Sequence, residues 1–168
     1  MKDGKEFKVS AYHLYAPPSV SSVRDVHARE FLQDVGLPVD HLLFASAEPE
    51  TRIVESDGIK RNLLKIGEGG DYEEFCVDIE SGEIVSLSTS DSSIWHVNDS
   101  PVMFQRCLEE FMARFPYGGE GLDLAEREAL ADELGRALIG IDATALRDDP
   151  GFWCGLLGDV AIGDYSEE

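Results

Sequence analysis

The segment FCVDIESGEIVSL, Phe75 to Leu87, constrains the fold more than any other stretch of the chain. Phe75, Val77 and Ile79 alternate with Cys76 and Asp78, the period of two that sends successive side chains to opposite faces of a strand. A short link containing Gly82 joins this run to a second one beginning at Ile84, which predicts a β-hairpin. An isolated hairpin is not stable in water, so further strands must pair with it. Short apolar, branched or aromatic runs supply them: HLLFAS from His41 to Ser46, NLLKI from Asn62 to Ile66, and IWHV from Ile94 to Val97. Turn formers such as GEGGD and ESGE bound the runs. The expectation is an antiparallel sheet of about four to six strands.

Helical periods flank this block on both sides. Val23, Val26, Phe31, Leu32 and Val35 follow helical spacing, Gly36 suits a left-handed C-terminus, and Pro38 stops continuation. After the strands, Ser100-Pro101 reads as a cap followed by proline in the first turn, and Phe104, Leu108, Phe111 and Phe115 share one face. Asp123 and Glu126 form a variant of the capping box ahead of Leu124, Leu130, Leu134, Ala137 and Leu138. A last helix is expected near Asp149-Pro150, presenting Phe152, Trp153, Leu156 and Leu157. Strands and helices in separate blocks give an α+β fold with helices on one side of the sheet. Residues 1–23, with Pro17-Pro18 and several serines, are read as an N-terminal arm, and residues 24–168 as a single domain.

Charge decides which partners are compatible with this domain. Asp and Glu number 34 against 14 Lys and Arg, a formal net charge of −20. Such a surface repels nucleic-acid backbones and anionic lipid, so neither direct nucleic-acid binding nor membrane association is expected. Its complement is a basic protein surface. Cys76, Cys107 and Cys154 are odd in number and set in largely apolar stretches, which reads as buried reduced thiols in a cytoplasmic protein. The first residues show no signal-peptide pattern, and nowhere do about 18 apolar residues run together.

No catalytic or metal-binding constellation stands out. GEGGD, Gly67 to Asp71, lacks the Lys-Ser/Thr ending of a phosphate loop, and Glu68 and Asp71 would repel phosphate, so it is read as a polar turn. Asp71, Glu73, Glu74 and Asp78, and separately Asp142, Asp148 and Asp149, do not follow a calcium-loop pattern and are read as solvated acidic faces. His96 is expected to be structural, with one ring nitrogen bonded to a backbone group; His27 is expected to edge an apolar helix face. Cys107 is read as a core or boundary residue, and Trp95 and Trp153 as filling the core or its edge. No catalytic residue, cofactor or metal is assigned.

Four strings in order carry a resemblance: FLQDVGLP at Phe31 to Pro38, FCVDIESGEIV at Phe75 to Val85, HVNDSPVMFQRCLEEF at His96 to Phe111, and FWCGLLGDVAIG at Phe152 to Gly163. Together they resemble the SUKH superfamily, and within it the SUKH-4 branch, from about residue 24 to the end. The resemblance implies an antiparallel sheet flanked by helices and a protein that acts by binding and is not an enzyme. It implies an immunity protein of a polymorphic toxin system, neutralising a cognate toxin domain, often a nuclease or deaminase, by occlusion. The alternative it leaves open is a regulatory or scaffold domain like the fungal cell-wall-synthesis regulators of the superfamily. Local charge and loop position nominate Glu68, Asp71, Tyr72, Glu73, Glu74, Asp91 and Trp95 as partner-binding residues.

Overall fold

The computed structural model describes residues 11–167. Its centre is a six-stranded antiparallel meander, β3 (Asp40–His41), β4 (Phe44–Ser56), β5 (Ile59–Glu68), β6 (Glu73–Asp78), β7 (Ile84–Ser88) and β8 (Ile94–Asn98), each strand hydrogen-bonded to its neighbours in sequence order. The helices are α1 (Pro17–Val20), α2 (Val26–Asp34), α3 (Pro101–Arg114), α4 (Leu124–Ile141) and α5 (Phe152–Ile162). This is the α+β architecture expected from the sequence. Register shifts between Ser46 and Glu50, between Lys65 and Gly67, and between Ile84 and Val85 bend successive strands, and the sheet curls.

Alternation along the strands divides the apolar residues between two faces. Leu64, Ile66, Phe75, Val77, Ile84 and Val97 join the main core with Leu32, Phe104, Leu108, Phe111, Leu134 and Trp153 from the helices. Cys76, Leu63, Val54, Val85 and Leu87 form a smaller cluster on the opposite face. Helix starts follow their caps: Asp25, Ser100 and Asp123 each accept a backbone N–H, and Asp123 with Glu126 completes the capping box. Gly36 has φ +77°, and a side chain there would run into the His13 carbonyl.

Several sequence expectations change. The β4–β5 hairpin is far longer than the two apolar runs suggested, because residues 50–56 pair with residues 59–65 across a turn at Asp57-Gly58, both with positive φ. The first ten residues of the N-terminal arm lie outside the described residues; in residues 11–23, β1 (Tyr12–His13) pairs with β2 (Leu37–Pro38), and Tyr15, Val20 and Val23 are buried in the main core. Tyr15 donates its hydroxyl hydrogen to the Ile66 carbonyl at 2.6 Å. His27 is exposed and does not pack at the edge of a face, since α2 buries Ala28 and Leu32 instead.

Candidate functional site

The nominated residues gather at one end of the sheet, and the hairpin turns explain why. GEGGD is the β5–β6 turn: Gly69 N–H donates to the Glu73 carbonyl at 3.0 Å and Glu73 N–H to the Gly70 carbonyl at 3.2 Å. The β7–β8 turn lies against it, with Thr89 N–H donating to the Tyr72 carbonyl at 2.9 Å. Glu68, Asp71 and Asp91 are exposed on this rim, and Tyr72 is 68% exposed. Asp91 accepts from the Ser93 hydroxyl at 2.7 Å and its backbone N–H at 3.0 Å, bonds that hold the carboxyl below its usual range.

Glu73 and Glu74 are neighbours on β6 and face opposite ways, as the strand period requires. Glu74 turns to the outer face, where Arg52 Nε donates to it at 2.8 Å and Lys65 Nζ lies 3.2 Å away. The Arg52 hydrogen bond, opposed by burial and joined by Lys65, holds the Glu74 carboxyl low. Lys65 also bonds Glu68 at 2.5 Å. The same face carries Arg61 between Asp78 at 2.8 Å and Glu83 at 2.7 Å. The carboxylates read from sequence as one solvated acidic run are therefore separated, with Glu74 and Asp78 buried and neutralised by cations.

On the helix side of the sheet lies a cleft of about 610 Å³ between β3–β8 and α5. Glu68, Glu73 and Trp95 line it together with Phe152, Asp159 and Tyr165. Ser86 Oγ donates to Glu73 Oε1 at 2.5 Å. Burial raises the Glu73 carboxyl against that hydrogen bond; burial and then the charge of Asp164 raise Asp159. Sequence reasoning missed Phe152, Asp159 and Tyr165 as cleft residues. Asp159 carried a readable signal, being the sole charged residue of α5.

His96 belongs to a different arrangement. Its Nδ1 lies 2.6 Å from Glu83 Oε2 and its Nε2 2.7 Å from Thr144 Oγ1, so side chains hold both ring nitrogens where a backbone partner was expected. The order Glu83, His96, Thr144 looks like a nucleophile relay, but the His96 side chain is only 1% exposed. The Thr144 hydroxyl hydrogen is directed to Asp142 Oδ1 at 2.7 Å, away from the imidazole, and the sheet-end cleft does not reach these residues. The cluster ties β8 to residues 142–148: Asp142 Oδ2 accepts from Asn98 Nδ2 at 2.8 Å, and Asp148 Oδ2 accepts His96 N–H at 2.6 Å. Trp153 Nε1 donates to Asn98 Oδ1 at 3.0 Å, extending it to α5. Its role is to fasten the edge of the sheet.

Cys76 and Cys107 are buried and Cys154 half-buried, all as free thiols; burial pushes Cys76 and Cys107 up to about 12. No helix of the described residues is long and apolar enough to cross a membrane. Among the described residues no group of three or more His, Cys, Asp or Glu is arranged to hold a metal ion.

Neither the curated proteins nor the solved structures contain a significant match to the chain. A family comparison does match, over residues 7–159, a span that includes both sheets, the rim turns and α5 as far as Asp159, and starts well before residue 24. The chain belongs to the SUKH-4 immunity protein family.

Proposed function

We propose that this protein binds a cognate toxin domain and neutralises it by occlusion, acting in the cytoplasm and making or breaking no bond itself. The observation that carries this reading is the rim at one end of the sheet, where two hydrogen-bonded turns present Glu68, Asp71 and Asp91 around the exposed Tyr72. Acidic groups around an amphipathic ring suit a basic partner: charge speeds encounter, and a desolvated aromatic anchor supplies affinity. The target is a toxin domain with a basic surface, such as a nuclease or deaminase that handles phosphate-bearing substrates. Glu68, Asp71, Tyr72 and Asp91 meet this partner first, Glu73 and Trp95 lie behind them, and Glu74 supports the rim through Arg52 and Lys65.

The test is association with the toxin domain encoded beside this gene. Binding is expected at nanomolar affinity or tighter, with an association rate that falls as salt rises. Co-expression should relieve toxicity, and the triple change Asp71→Asn, Tyr72→Ala, Asp91→Asn should weaken that relief. Unrelieved toxicity, or no binding, defeats the proposal; a growth defect on gene deletion without the toxin would instead favour a regulatory scaffold.

A further inference from the structure

Apart from Asp142, whose two oxygens take four polar donors, the buried and half-buried carboxylates of β6, the β6–β7 turn and α5 differ in whether a cation meets them. Glu74, Asp78 and Glu83, toward the outer face, each lie within 2.8 Å of an Arg nitrogen. Glu73 and Asp159, in the sheet-end cleft, have no Lys or Arg partner among the described residues; Glu73 has only the Ser86 hydroxyl. Among the described residues that line the cleft, none is Lys or Arg. Its one histidine, His41, is held in place by donating Nε2–H to the Leu108 carbonyl and accepting Leu43 N–H at Nδ1, and burial lowers it toward the neutral form. Trp95 and Phe152 add aromatic walls.

We infer that this cleft receives an arginine side chain from the protein partner, with Glu73 and Asp159 as its carboxylate acceptors and Trp95 and Phe152 as surfaces for its planar guanidinium. The identity of that partner rests on the proposed toxin-binding function. Arginine fits the site chemically. Its fork matches carboxylate oxygens, its weakly hydrated plane stacks on aromatic rings, and its apolar stem can lie along the walls. At about 610 Å³ the cleft is large enough for such a side chain with its adjoining backbone. Two carboxylates kept without an internal cation cost the free protein stability, and an incoming guanidinium relieves that cost on binding.

The experiment titrates the intact protein with N-acetyl-arginine amide and its neutral isostere N-acetyl-citrulline amide, followed by NMR at the Trp95 indole N–H. The arginine compound should bind with a dissociation constant of about 1 mM and the citrulline compound at least tenfold more weakly. Glu73→Gln with Asp159→Asn should weaken the arginine compound at least tenfold. Trp95→Leu, which leaves the carboxylates in place and is followed at the Ser86 backbone amide of the same cleft, should weaken it severalfold. No binding, equal binding of the two compounds, or an unaffected double variant overturns the inference. With the toxin domain, undiminished binding by the double variant overturns the cleft as a partner site while the proposed function stands. Failure of the unaltered protein to bind any toxin defeats the function, and the arginine compound then judges the cleft alone.

Discussion

Glu73 and Glu74 are adjacent on one strand and occupy opposite electrostatic situations: Glu74 lies 2.8 Å from Arg52 and 3.2 Å from Lys65, whereas Glu73 meets, among the described residues, only the Ser86 hydroxyl at 2.5 Å. Their neutral replacements should therefore move stability in opposite directions. Glu74→Gln leaves the half-buried Arg52 and the buried Lys65 short of an acceptor and should cost about 1–3 kcal/mol at pH 7. Glu73→Gln removes an uncompensated charge and should raise Tm by roughly 1–3 °C. Because burial raises the Glu73 carboxyl, the folded state holds its proton to higher pH than the unfolded chain, so the native protein loses stability as pH rises from about 4.5 through the raised value. The Gln variant should lack that decline. Thermal melts at pH 4.5 and 7 compare both pairs, and a stabilised Glu74→Gln would refute the assignment.

His41 makes the opposite contribution to pH dependence. Burial lowers its imidazole below the usual 6.5, outweighing the Leu108 hydrogen bond and the Asp40 charge. The unfolded chain takes up this proton near pH 6.5 and the folded chain only at lower pH, so stability should fall as pH drops below about 6.5. His41→Gln should flatten that fall while lowering stability throughout. Denaturant midpoints between pH 7.5 and 5.5 give the slope; equal slopes in the two proteins would exclude His41 as its source.

The strand block and the helix starts were legible because local physics decided them. Alternation at Phe75 to Ile79 and the caps at Ser100 and Asp123 depend on nearest neighbours, and the structure repeats them. The long extension of β4 was not legible, since EPETR is polar; its pairing with β5 resumes at Glu50, and Arg52 finds Glu74 and Glu50 across and along the sheet. Its Asp57-Gly58 turn was the available signal. Of the nominated residues, Asp71 and Tyr72 stand on one turn by loop position alone. Which face Glu73 and Glu74 take depends on strand register, and the cleft depends on α5 folding back from a distant part of the chain, so neither appears in local sequence.

Gly67 should be irreplaceable by alanine. A Cβ there would lie 2.1 Å from the Phe44 ring and 2.7 Å from the Ala45 carbonyl oxygen, and Phe44 is wedged edge-on against Phe75 and Phe104. The ring cannot retreat without opening the core, so Gly67→Ala should cost about 2–4 kcal/mol. Gly70, three residues on in the turn that follows β5, has nothing within 4 Å of its added Cβ. Gly70→Ala should change stability by no more than about 0.5 kcal/mol. Urea denaturation of the pair measures the difference, and similar midpoints would contradict the packing described at Phe44.

Asp142 is the acceptor at the centre of the polar cluster that fastens β8. Its two oxygens take four donors: Asn98 Nδ2 at 2.8 Å, Asp99 N–H at 2.9 Å, Thr144 N–H at 2.9 Å and the Thr144 hydroxyl at 2.7 Å. Burial pushes the carboxyl up, yet these donors outweigh it and hold the group below its usual 3.8. Its stabilisation is thus present above about pH 3.8 and lost as pH falls through the folded value. Asp142→Asn places an amide NH₂ where only donors point, leaving at least one buried donor without an acceptor, and should cost roughly 2–3 kcal/mol at pH 7. The Trp153 indole, anchored on Asn98, reports the event by a change in near-ultraviolet circular dichroism. Because the cluster supports the sheet edge and not the rim, a still-folded Asp142→Asn protein should bind the toxin domain with little change in affinity. A large loss of binding without unfolding would mean that this cluster takes part in recognition.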